Sequence, residues 1–329
     1  MQMKIYDFNG LKISDRNGSY GGNSGDKEGV FIGNDYWLIK YPNSTKGLAN
    51  VGSLSYTTSP QSEYIGSRIY ATLGYDVHET LLGVRNEQVV VACKDLCDDD
   101  HRLIEFRQLK NTYNKQLSEE LDSTFKSTAS NHFVNLKEIM LHLEYNPELQ
   151  GISGLKERFW DSIIVDGFIN NNDRNNGNWG ILRSKTDKIL APVYDNGSSF
   201  SPNIPDSKII KKLADDRAMQ VGALNGITAY SLDGEHNVLF RDLMKTDIPE
   251  LNEAIRRVVP NILEHIEDCR NVIISIPEQV EGYQIISAER KEEYCKELDI
   301  RAELVLEPAL TRILHAIEKE IPDSDHEER

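Results

Sequence analysis

The chain is short of cysteine, of positive charge and of long apolar runs. Four cysteines, Cys93, Cys97, Cys269 and Cys295, are too few to staple 329 residues, so the fold must rest on a hydrophobic core. Cys93 and Cys97 have a metal-like spacing, but no Cys or His pair stands nearby in sequence to complete a zinc set. No apolar stretch approaches membrane-spanning length. Met1-Gln2-Met3-Lys4-Ile5-Tyr6-Asp7-Phe8 lacks the apolar centre of a signal peptide. The expectation is a soluble, cytoplasmic protein, with leaderless export left open. Acidic residues number 53 against 37 basic ones, a net charge of −16. A nucleic acid or an anionic membrane would be repelled except at a local patch, whereas a basic protein or peptide is a permitted partner. The chain has no repeat and no low-complexity tract, and its length suffices for a two-lobed enzyme with a sizeable core.

What the chain does have is Asp173-Arg174-Asn175-Asn176-Gly177-Asn178, followed by Tyr194-Asp195-Asn196-Gly197. An Asp, an Asn five residues on, and a second Asp before a Gly form the arrangement that protein kinases use for phosphoryl transfer. The first Asp orients the attacking hydroxyl and takes its proton, while the Asn and second Asp hold Mg²⁺ on the nucleotide. The spacing has a physical reason: one rigid loop presents a base and a metal ligand, and a following strand delivers the second carboxylate. Leu155, Phe159, Ile163, Val165, Phe168 and Ile169 recur at roughly helical spacing, which predicts a helix leading into Asp173. Asn170 to Gly180 reads as loop. Trp179 to Leu182 and Ile189 to Tyr194 read as two short strands, and a hairpin between them would bring Asp195 back beside Asn178. An Asn/Asp/Gly run is also ordinary surface-turn chemistry. A calcium loop is excluded, because Asn178 stands where its Gly is needed and Ser184 where its bidentate Glu is needed.

The N-terminal part supplies further pieces in order. Gly18-Ser19-Tyr20-Gly21-Gly22-Asn23-Ser24-Gly25 can bring backbone N–H groups close to phosphate oxygens. It is neither a Walker A sequence nor a Rossmann fingerprint, and a plain loop explains it equally well. Tyr36-Trp37-Leu38-Ile39-Lys40-Tyr41-Pro42 reads as a buried strand carrying one Lys, which needs an anionic partner or a route to solvent. Glu63 lies near the start of a predicted helix, Gln61 to Leu73. It either pairs with Lys40 or serves as a first-turn acid. Val89 to Leu96 reads as a buried strand running into a polar segment, where a hinge would connect two lobes.

On Leu38-Ile39-Lys40-Tyr41-Pro42, Ser62-Glu63-Tyr64, Val90 to Asp95, Asn172-Asp173 with Asn178-Trp179-Gly180, and Tyr194-Asp195, the chain resembles the HipA-like kinases. It is most similar to the short, CtkA-type members of that group, over about its first two-thirds. The resemblance implies an α+β, two-lobed protein-kinase-like fold. Residues 1–95 would form a small β-rich lobe with one helix, and residues 96–329 a larger helical lobe. It implies Asp173 as catalytic base, Asn178 and Asp195 as Mg²⁺ ligands, and Lys40, held by Glu63, on the phosphates. Gly21, Gly22, Asn23 and Ser24 would cradle the phosphates, and Ala92 and Lys94 would offer backbone contacts to adenine. The implied activity is Mg-ATP-dependent phosphorylation of Ser/Thr on protein, the chain itself included, with Ser19 and Ser24 as available hydroxyls. A cognate regulator protein is a further implied partner. Two departures stand out. Asn175 replaces the family's common His, and the early Gly-rich run leads us to expect no counterpart of the extra N-terminal subdomain of full-length members. A small-molecule phosphotransferase of the aminoglycoside-kinase type shares this site logic. A nucleotide-gated, toxin-like interaction module is the non-catalytic alternative.

The remainder predicts an α-rich second lobe. Val134 to Tyr145 reads as a helix, with His132 and His142 as surface or capping residues. Ser198 to Lys212, with four serines and two prolines, is the place for an activation or substrate-docking segment, or an ordinary polar loop. Lys211 to Val221, Leu251 to Val259, Ile262 to Ile273 and Lys291 to Ile317 read as successive helices. Pro260 and Pro277 would mark starts and Pro308 would split the last. Asp323 to Arg329 reads as a charged, disordered tail.

Overall fold

The computed structural model describes residues 3–15, 27–49, 51–52, 54–121 and 134–320. The Gly-rich run, His132 and the Asp323-to-Arg329 tail therefore lie outside the described residues. Strand β1 (Tyr6–Asp7) is followed by β2 (Lys27–Ile32) and β3 (Asp35–Lys40). The last two are rich in β-branched and aromatic residues and are joined at Gly33-Asn34. Gly33 takes φ +63° there, a left-handed conformation that costs glycine nothing in a tight hairpin. Helix α1 (Ser59–Thr72) begins with a proline in its first turn and ends at Gly74, φ +86°. Strands β4 (Thr80–Arg85) and β5 (Gln88–Lys94) complete a five-stranded sheet in the order β1-β4-β5-β3-β2. Only β1 runs parallel to its neighbour; the remaining pairs are antiparallel.

Alternation along β5 divides the interior in two. Val90 and Ala92 pack with Phe8, Val30, Trp37, Ile39 and Tyr41 in a small core. Val91 and Cys93 point the other way, into a large core shared with Tyr64, Ile65 and Ile69 of α1. That large core continues through the second half of the chain, so α1 packs with the small sheet and with the helical part alike.

The second half opens with β6 (Arg102–Glu105), α2 (Phe106–Leu121), β7 (Val134–Asn135), α3 (Leu136–Tyr145), α4 (Leu155–Phe168), β8 (Gly180–Arg183) and β9 (Lys188–Leu190). It continues with α5 (Asp206–Leu213), α6 (Asp216–Leu224), β10 (Ile227–Ser231), β11 (Asn237–Leu239), α7 (Phe240–Leu243), α8 (Pro249–Glu264) and α9 (Ile266–Ile274). The hairpin β12 (Gln279–Val280) and β13 (Tyr283–Gln284) leads to α10 (Ala288–Arg301) and α11 (Glu307–Glu320). The result is the expected α+β arrangement, sheet-rich first and helical after. Helix α4 is its axis, with Phe159, Trp160, Ile163, Ile164, Val165 and Phe168 all buried. Among the described residues no helix is long and apolar enough to cross a membrane.

Several local expectations are corrected. The helix expected over Lys211 to Val221 is two helices, because Asp215 caps the second by accepting from Arg217 N and Ala218 N. Pro260 starts nothing: it sits on the exposed side of α8, which the buried Val258, Val259 and Ile262 hold intact, and the break comes at His265. Pro277 precedes the β12 strand rather than a helix. A π-helical turn, Ala302–Leu306, separates α10 from α11 directly before Pro308, where a widened turn accommodates a residue without an N–H. His142 is neither surface nor cap. It is buried, edge-on to Phe106 at 5.5 Å, and burial pushes its pKa down to about 4.

Packing around α4 is close enough to test. A Cβ on Gly167 would lie 2.0 Å from the Phe240 ring, whereas one on Gly10 would meet nothing within 4 Å. Gly167→Ala should lower stability by about 1–3 kcal/mol and shift the denaturant midpoint accordingly. Gly10→Ala should leave the midpoint essentially unchanged.

Candidate active site

Strand β3 ends on Lys40, whose Nζ donates to Glu63 Oε2 and to Asp195 Oδ1, both at 2.9 Å. Glu63 is supplied by α1 and is 1% exposed, so its charge depends on these partners. His78 Nε2 lies 3.0 Å from Glu63 Oε1, and the Asn196 N–H donates to that same oxygen at 2.9 Å. Burial by itself would raise the Glu63 pKa. The Lys40 charge and the His78 contact outweigh it and hold the carboxyl far below the usual range. Burial likewise opposes the charge on Lys40, and Asp195 and Glu63 overcome it, holding its pKa well above the ordinary lysine value.

Asp173 and Asn178 lie in the loop after α4. The loop is built from its own amides, as expected of Asn-rich turns. Asn175 Nδ2 donates to Asp173 Oδ1 at 2.9 Å while Asn175 Oδ1 accepts from Gly177 N at 2.8 Å. Asn178 Nδ2 donates to the Asp173 carbonyl at 2.6 Å, which leaves its side-chain oxygen as the group it can offer to a cation. Desolvation raises the Asp173 pKa; the Asn175 hydrogen bond opposes this and the Asp195 charge adds to it.

Asp195 arrives by a shorter path than the sequence suggested. β8 and β9 pair antiparallel, Ile181 with Leu190, but β9 stops at Leu190 because Pro192 cannot continue the ladder. Val193 pairs instead with Val77, its N–H donating to Asp76 O at 2.9 Å. Asp195 itself adopts φ +58°, a turn conformation that Asp tolerates better than most side chains.

Ala92 and Lys94, expected to meet adenine, both lie in β5. Ala92 lies inside the sheet, opposite Ile39 of β3 and Leu81 of β4. The Lys94 N–H donates to Glu79 O at 2.9 Å, and its ammonium pairs with Asp35 at 2.9 Å. β5 ends at Lys94, and the Asp95 N–H still donates to Tyr36 O of β3 at 3.0 Å. Gly21, Gly22, Asn23 and Ser24 fall outside the described residues.

Sequence reading missed the residue that joins these parts. Arg174, beside Asp173, is 3% exposed and donates to both carboxylate oxygens of Asp166, at 2.8 and 2.9 Å. It also donates to the carbonyls of Asn178 and Tyr194 and to Asn196 Oδ1. The available signal was Asp166 itself, an acid in the last turn of a helix whose neighbours in sequence are apolar. His78 and Asn196 were missed as well, and no local pattern marks them.

The donor set at the cleft suits a hard cation. Asn178 and Asp195 both offer oxygen, the donor type that Mg²⁺ takes. Among the described residues one close group of metal-type ligands, Glu63, His78 and Cys93, is buried and already joined by the Glu63–His78 contact. Cys97 takes no part in it.

No protein-family model matches the chain. The serine/threonine-protein kinase CtkA of Helicobacter pylori is 30% identical over 316 residues, which cover 95% of this chain and 90% of that protein. The crystal structure of an H. pylori proinflammatory kinase CtkA superposes with a TM-score of 0.80 at 28% identity, covering 94% of this chain and 99% of that one. HipA of Shewanella oneidensis MR-1, solved with HipB and operator DNA, shares the fold at TM-score 0.50 and 14% identity, covering 94% of this chain and 67% of that one. The chain belongs to the family of the serine/threonine-protein kinase CtkA.

Proposed function

We propose that this kinase transfers the γ-phosphoryl group of Mg-ATP to Ser or Thr hydroxyls on protein, its own chain included. The observation that carries the reading is Lys40, which bridges Glu63 and Asp195 while Asp173 and Asn178 share the adjoining loop. A cation paired on both sides is pre-positioned for phosphate oxygens, and the oxygens of Asn178 and Asp195 suit the metal. Mg²⁺, when bound, supplies charge neutralisation on the phosphates. Asp173 accepts the proton of the attacking hydroxyl, and the amide of Asn175 keeps its carboxylate oriented. Adenine is assigned to the backbone of Ala92 and Lys94 at the end of β5. The lobe division near residue 95 belongs to the same reading.

The Ser/Thr acceptor rests on kinship with CtkA, whose name states it. Ser19 and Ser24, in the Gly-rich run, are the proposed sites of self-modification. A cognate regulator protein and a cytoplasmic location are proposed with it. The HipA relative was solved together with HipB.

Intact-protein mass after incubation with Mg-ATP tests the assignment. The wild type should gain phosphate, and Asp173→Ala should lose about 10²–10⁴-fold in rate while still binding nucleotide. Transfer near the wild-type rate in that variant would remove Asp173 from the role. Phosphorylation of added small molecules without any protein product would favour the small-molecule reading.

The raised pKa of Asp173 sets a pH dependence. A base works deprotonated, so the rate should fall as pH drops through that raised value. The acid limb of the single-turnover rate should therefore lie above the ~4 of an ordinary aspartate. A rate independent of pH down to ordinary aspartate values would contradict the assignment.

A further inference from the structure

A buried guanidinium usually serves one carboxylate, but Arg174 divides its donors. Its Nε and Nη2 hold Asp166 of α4, Nη1 donates to the Asn178 carbonyl at 3.0 Å and to the Tyr194 carbonyl, and Nη2 also reaches Asn196 Oδ1 at 2.5 Å. It thus touches the backbone of one metal-assigned residue and the neighbours on both sides of the other. Asp166 is itself held: Tyr70 Oη of α1 donates to it at 2.9 Å and Asn171 Nδ2 at 3.0 Å. The fork is planar and rigid, so the distance between the two segments it binds is set by one side chain.

We propose that Arg174, seated on Asp166, is the positioning residue that sets the separation of Asn178 and Asp195 and thereby the affinity of the site for Mg²⁺. The inference rests on reading those two residues as the metal ligands. Arg174 contacts no reacting atom; it acts through the two segments. A purely structural anchor would bind Asp166 and one segment, and its loss would lower stability without changing the metal requirement. A residue that spans both segments changes where the two oxygens stand relative to each other. Groups one step behind metal ligands commonly tune metal affinity by about 10–100-fold.

Calorimetric titration of ATP into the full chain at a series of Mg²⁺ concentrations provides the test, with Asp195→Asn as the reference. Arg174→Lys keeps the charge and loses the fork. It should raise the Mg²⁺ concentration for half-maximal nucleotide binding by about 10–100-fold, with metal-free ATP affinity little changed. Thermal unfolding without metal confirms that the variant is folded. Should Arg174→Lys fail to fold, Arg174→Gln combined with Asp166→Asn leaves no unpaired buried charge, and the same rise is expected. An unchanged Mg²⁺ requirement in a folded Arg174 variant, with Asp195→Asn losing its Mg²⁺ dependence, overturns the positioning role and leaves the ligands standing. An unchanged requirement in Asp195→Asn overturns the metal reading and this inference together.

Discussion

An ammonium at the end of an apolar strand needs an anion against it or a route to solvent. Lys40 has two anions, and the cleft is arranged around that need. Glu63 must be carried by a helix that packs on the sheet, and Asp195 must be carried back from the far side of the loop that holds Asp173. Removing one partner from a buried pair such as Lys40–Glu63 typically costs about 3–5 kcal/mol, because the other charge is left behind. The pairing is therefore also a constraint on how the two halves of the chain meet.

Helix α1 meets that constraint with a polar stripe. Glu63, Ser67 and Tyr70 fall on one face by the four- and three-residue steps of a helix. Glu63 accepts from Asn196 N, Ser67 Oγ accepts from Asn196 Nδ2 at 2.9 Å, and Tyr70 reaches Asp166. Gly66 lets the backbones close, since a Cβ there would stand 2.8 Å from that of Asn196. The segment beyond is held as firmly. Phe200 N donates to Ile169 O, Thr58 N donates to Pro202 O, and buried Arg290 donates to Ile204 O and Asp206. The serine-bearing stretch after Asp195 is thus seated by contacts from both halves of the chain.

Contiguous features were legible in the sequence. Asp173 and Asn178 share one loop, Lys40 stands out on its strand, and the helix before the loop shows its period, so these could be placed without a structure. The misreadings concern residues whose role depends on distant partners. Pro260 looks like a boundary until Val258, Val259 and Ile262 are seen to bury the turn around it. His142 looks like a surface residue until Phe106 is packed against it.

The sequence by itself determined the chemistry on offer: a lysine on an apolar strand, a helix acid, a loop with Asp and Asn five apart, and a second Asp behind a short hairpin. These follow from local periodicity and spacing, which are properties of neighbours in the chain. Only the tertiary structure decided that Glu63 and Asp195 share Lys40, and that Arg174 ties α4, the loop and the Asp195 strand together. Those contacts join residues far apart in sequence. Their strength comes from burial, which no local pattern encodes and which arises only when the whole core has closed.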